Sequence, residues 1–169
     1  MTISRQLTGL ALASTLFGLS LSAHALSPAA QTSADIRRTS FGVPHIRAEN
    51  ERGLGFGIGY TYAQDNLCLL ANEIVTVNGE RSRYFGPEQF TVEQRENRVS
   101  DVFFTWLNTP EAVETFWQAQ PTQVRDLVEG YAAGYNRYLA ERRQQGLLQQ
   151  CQGEWVRDIS AEDLVKLTR

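Results

Sequence analysis

The chain has 169 residues, with 16 basic and 19 acidic side chains and a formal net charge of −3. That balance excludes a nucleic-acid partner: Arg37-Arg38 and Arg142-Arg143 are isolated pairs of solvated surface charge, not a basic stripe. Of the two histidines only His45 lies beyond the leader read below, so a Ser-His-Asp or Cys-His site has a single imidazole to use.

The first 25 residues read as an export signal. Arg5 is their only charge, residues 7–21 are apolar, and Ser22-Ala23-His24-Ala25 ends in small residues where a signal peptidase reads. The apolar stretch is about 15 residues, short of the ~20 a membrane-spanning helix needs. Cleavage after Ala25 and export to the periplasm are therefore expected, with no membrane anchor. Residues 26–34 are small and polar and read as a flexible lead-in. A cut after Leu26 would instead make Ser27 a chain-terminal nucleophile, but Leu26 suits that cut poorly and Pro28 follows in a floppy segment.

From Asp35 the pattern is strand-like. Ile36 precedes and Val43 and Ile46 follow a Ser40-Phe41-Gly42 turn, and Pro44 biases Val43 towards extended backbone, so a β-hairpin is expected. His45 sits between Pro44 and Ile46 and reads as a structural residue, hydrogen-bonded near a turn, rather than a catalytic base. An isolated hairpin is marginal in water, so these strands should add to a sheet; no further clear strand follows, so that sheet is small or its other strands come from another polypeptide.

Gly53, Gly55, Gly57 and Gly59 invite a phosphate-loop reading, which the spacing rejects. The third glycine of GxGxxG is replaced by Ile58, Tyr60 or Tyr62 in every register, and there is no Gly-Lys-Ser/Thr. Missing β-carbons instead point to close backbone packing. Ala63, Leu67, Leu70, Ala71 and Ile74 recur at helical spacing, predicting a helix from Ile58 to about Val77, which Asn78-Gly79 ends.

Residues 86–100 are polar and read as a loop. Ser100 then caps a short helix carrying Val102, Phe103, Trp106 and Leu107. Thr109-Pro110-Glu111 restarts a helix with Phe116 and Trp117 on its buried side. Pro121 opens the longest periodic segment, whose stripe holds Val124, Leu127, Val128, Tyr131, Tyr135, Tyr138 and Leu139. Its tyrosine row is read as core packing rather than a cofactor box. Residues 146–153 form a glutamine-rich connection, and Ser160 with Asp163 starts a last helix containing Leu164, Val165 and Leu167.

Cys68 and Cys151 are the two cysteines. If export occurs they reach an oxidising compartment, which favours a disulfide over two buried thiols. Such a bridge would close a loop worth on the order of 4 kcal/mol in the chain-entropy model. Neither has a neighbouring histidine or cationic cluster to activate it for catalysis, and no cluster has metal-ligand spacing.

Residues 35–66, reading DIRRTSFGVPHIRAENERGLGFGIGYTYAQDN, resemble the N-terminal end of the penicillin acylase family, and most nearly its acyl-homoserine lactone acylase branch. Gly79-Glu80-Arg81, Tyr84-Phe85-Gly86, the run from Glu129 to Asn136 and Trp155 extend the likeness to about residues 34–169. The resemblance implies an α+β chain, mainly helical with an N-terminal hairpin, forming the α-chain portion of an αββα N-terminal nucleophile hydrolase sandwich. It implies an exported, inactive precursor cut into an α chain, a spacer and a β chain that begins with the nucleophilic serine. The implied partners are that β chain and an acylated substrate, either a quorum-sensing acyl-homoserine lactone or an acylated peptide. No catalytic residue carries over to this chain, and no cofactor is expected in it. Family acyl-pocket and calcium positions match beyond Arg169, where truncation is expected. The competing expectation is a non-catalytic exported helical domain that binds through its aromatic helix faces.

Overall fold

A computed structural model describes residues 32–146 and 151–169, so the expected signal peptide and most of the lead-in lie outside the described residues. Strands β1 (Asp35–Arg38) and β2 (Pro44–Arg47) precede helices α1 (Glu51–Val77), α2 (Arg81–Phe85), α3 (Asn97–Leu107), α4 (Pro110–Gln118), α5 (Thr122–Gln144) and α6 (Ala161–Thr168). The chain is mainly helical with one antiparallel hairpin, as expected.

The hairpin pairs Ile36 with Ile46 and Arg37 with His45. Gly42 adopts φ +81°, which closes its turn. Arg38 ties the hairpin to α1: its guanidinium donates to Asp65 Oδ2 at 3.1 Å and to Gln64 Oε1 at 2.9 Å.

Helix α1 begins seven residues before the expected Ile58 and includes all four glycines. Asn50 caps it, accepting from the Gly53 N–H at 2.8 Å. Glycine costs a helix roughly 1 kcal/mol per residue against alanine, so packing must compensate. It does so on two sides. A methyl group placed on Gly55 or Gly59 would overlap the carbonyl of Leu127 or Tyr131 on α5. One placed on Gly130 or Gly134 of α5 would overlap the carbonyl of Arg52 or Phe56 on α1. Two glycine pairs at i,i+4 therefore face each other across one crossing. Gly53 and Gly57 turn the other way, against Ser33, Ala34, Ile46 and Ala48. The close approach read from the glycines is thus real, and it has two separate partners.

Asn66 has non-helical φ −139° and divides α1 into two helical stretches. The second stretch carries the expected stripe: Leu70, Ala71 and Ile74 join Ala63, Ala132, Tyr135, Leu139, Cys151, Val156 and Ile159 in the core. Tyr135 is fully buried and Tyr131 and Tyr138 pack against this core, so the tyrosine row is packing as predicted. Cys68 and Cys151 form the expected disulfide, spanning 83 residues.

Two local expectations need correction. Helix α3 starts at Asn97, and Ser100 is a buried residue of its first turn, not its cap. On α4 the buried residue is Val113, while Phe116 is exposed; the Thr109 cap and Pro110 at the first position stand as expected. Helix α2 is five residues long, too short for an apolar period to announce it in the sequence.

Candidate functional site

The polar interior is built around three arginines. Arg81, nearly buried, donates from Nε to Asn97 Oδ1 at 2.8 Å and from Nη1 to Asn72 Oδ1 at 2.7 Å and Thr76 Oγ1 at 2.9 Å. Asp101 of α3 accepts from the Arg81 and Ser82 N–H groups at 2.9 and 2.8 Å, satisfying the open start of α2. Arg52 pairs with Asp126 at 2.7 Å and with Glu129, and those hydrogen bonds raise its pKa further above the ordinary arginine value. Arg157 grips Asp163 with both terminal nitrogens, at 3.0 and 3.1 Å.

Asp163 is the most constrained carboxylate. Burial alone would raise its pKa; the Arg157 guanidinium, the Ser160 N–H at 2.9 Å and the Asn78 amide at 2.7 Å outweigh that and hold it below the ordinary value. The capping box expected from Ser160 and Asp163 is present. These clusters join elements; they are not arranged as nucleophile, base and orienter.

The helix surfaces carry the more informative signal. Helix α3 buries polar Asn97, bonded to Arg81, and Ser100, and turns Val99, Val102, Phe103 and Trp106 outward. Val102 and Trp106 are each 72% exposed, the reverse of a solvent-facing amphipathic helix. A second apolar surface is a groove of about 390 Å³ between Phe116 and Trp117 of α4, Val124, Leu127, Val128 and Tyr131 of α5, and Leu164 and Leu167 of α6. Contiguous apolar surface of this kind marks a binding face.

His45, read as a structural residue near a turn, is exposed on β2 opposite Arg37. Among the described residues no group of three or more His, Cys, Asp and Glu side chains could hold a metal ion. No helix among them is long and apolar enough to cross a membrane.

A helical chain with this hairpin and glycine-faced helix pair has the fold of part of an N-terminal nucleophile hydrolase. It superimposes on the thermostable penicillin G acylase of Alcaligenes faecalis with a TM-score of 0.66 and 30% identity, over 80% of this chain and 69% of that one. The penicillin amidase family model matches residues 33–163, and the chain belongs to that family. It is 86% identical over 169 residues to the acyl-homoserine lactone acylase PvdQ of Pseudomonas fluorescens strain Pf0-1, covering 100% of this chain and 22% of the relative. It is also 39% identical over 140 residues to the aculeacin-A acylase of Actinoplanes utahensis, covering 76% of this chain and 17% of that protein. The chain thus spans about a fifth of the length of the curated relatives it matches.

Helical stripes alone do not reveal that Gly130 and Gly134 face Gly55 and Gly59, nor that α3 is inverted. The signal for the first was present: Gly55/Gly59 and Gly130/Gly134 share one i,i+4 spacing, and Asn50 precedes Glu51 as a cap. Nothing in the α3 sequence says which face turns inward.

Proposed function

We propose that this chain is the N-terminal, α-chain part of a periplasmic acylase that hydrolyses the amide between a fatty acyl chain and an amine-bearing head group. Acyl-homoserine lactones are the first substrate class and acylated peptides the second. The observation that carries this reading is the 86% identity over 169 residues to a relative named acyl-homoserine lactone acylase.

The chemistry resides in the remainder of the precursor, as the coverage of 22% of that relative supports. There a serine at the start of a second chain attacks the amide carbonyl. Its own α-amino group, with an ordinary pKa of about 8, takes the hydroxyl proton. Hydrogen-bond donors hold the oxyanion, the amine leaves, and water releases the fatty acid from the acyl-serine. Such a site needs no histidine, and this chain's part is to support it.

That supporting role accounts for the surfaces. The outward α3 face and the α4–α5–α6 groove are cores cut in half, completed by the β chain of the same precursor. The penicillin G acylase chain matched above is only slightly longer than this one, in keeping with a separate short polypeptide.

The test is expression of the uninterrupted precursor and mass spectrometry of a long-chain acyl-homoserine lactone incubated with it. Free fatty acid and homoserine lactone should appear, and a second chain beginning with serine should be found by N-terminal sequencing. An uncut precursor that leaves the substrate intact would contradict the reading.

A further inference from the structure

The segment 151–169 forms one wall of the groove, yet it is joined to α5 only through residues 147–150. Its first described residue, Cys151, is buried and bonded to Cys68, two residues past the break in α1 at Asn66. From there the segment runs to the far end of α1. Asn136 holds it midway, donating to the Ile159 carbonyl and accepting from the Ile159 N–H, both at 2.8 Å. Asp163 then reaches Asn78, just past α1, and Lys166 donates to the same amide's oxygen at 2.9 Å.

We propose that the Cys68–Cys151 bridge is an oxidation-dependent latch that seats residues 151–169, and with them the α6 wall of the groove. The short link from α5 settles where the segment starts but not which way it runs. Pinning Cys151 against α1 settles the direction and presents Ile159 to Asn136 and Asp163 to Asn78. Val156, Ile159 and Val165 bury the segment's apolar side, and the polar contacts each add little net free energy because water can replace them. The bridge cannot be exchanged that way. It narrows the undocked states open to a segment that the chain already tethers, and so raises the effective concentration of every later contact.

Forming the latch removes two protons and two electrons from the thiol pair. A disulfide oxidant, small molecule or protein, accepts the electrons and becomes a dithiol. An oxidising compartment supplies that class of reagent and a reducing one does not. The groove is therefore complete only after oxidation, and the second chain can seat on it only then. This last consequence rests on the function proposed above; the latch itself does not.

Limited trypsin digestion of the full-length protein, followed by mass spectrometry, tests it. Three samples are compared: oxidised protein, the same protein in dithiothreitol, and the Cys68→Ser/Cys151→Ser variant. Cleavage after Arg157, which the seated segment holds against Asp163, should be about tenfold faster in both bridge-free samples. Cleavage after Arg137 of α5 should not change. Equal rates after Arg157 in all three would overturn the latch. A general rise at Arg137 as well would also overturn it, because the bridge would then be a staple of the whole fold. Acyl-homoserine lactone hydrolysis is measured on the oxidised sample alongside, and its absence would count against the proposed function without altering the digestion pattern.

Discussion

The α1–α5 crossing and the outer surface of α3 are opposite solutions to burying helices. At the crossing, side chains are absent: four glycines let two backbones touch, and the seam is finished within this chain. On α3 Val99, Val102, Phe103 and Trp106 point outward, while polar Asn97 and Ser100 are buried on the inner face. The first region is a closed interface and the second an open one. A chain that folded only for itself would have no physical reason to expose Trp106 while burying Asn97, since the apolar area would be worth more inside.

This contrast can be broken at its closed side first. Gly59→Val, which would drive a branched side chain into the Tyr131 carbonyl, should cost more than about 3 kcal/mol and leave little folded protein in thermal melts. A variant melting within a few degrees of wild type would mean that the helices can separate freely.

Its open side comes next. Trp106→Ser should cost the full-length protein about 3 kcal/mol if a second chain covers α3, as for a buried tryptophan. A change within about 0.5 kcal/mol, read by denaturant titration, would mean that the face stays in water.

The junction where α6 meets the end of α1 responds to pH. Asp163 has its pKa depressed in the folded state, so its stabilisation is complete above the unfolded carboxylate value of 3.8 and is lost as pH falls through the lower folded value. Asp163→Asn should therefore cost about 3 kcal/mol at neutral pH, because Arg157 loses its buried partner, and the difference from wild type should shrink in strong acid. A penalty independent of pH in unfolding titrations would assign the effect to packing instead.

The smallest effect tests the hairpin. Gly42 has φ +81° with nothing within 4 Å of an added β-carbon, so Gly42→Ala should cost only about 1 kcal/mol, from backbone strain alone. A loss as large as that expected for Gly59→Val would show that the tip is packed against another chain.

What could be read in advance follows the same division. The second half of α1 and all of α5 declare themselves through large apolar residues at helical spacing, and Thr109 and Ser160 mark their helix starts with hydroxyl caps. The first two turns of α1 do not, because periodicity is counted on side chains and the glycines have none. Helix α3 misleads for another reason: its apolar stripe is real but faces away from this chain's core. The family likeness pointed to the amide-hydrolase class, while individual side chains could not, because none described here forms a reacting constellation.

Oxidative footprinting of Trp106 in the processed full-length protein tests the central claim most directly. The account predicts that this indole, 72% exposed in the present chain, is labelled as slowly as a core tryptophan once the second chain is in place. Labelling at the rate of a free surface tryptophan would contradict it.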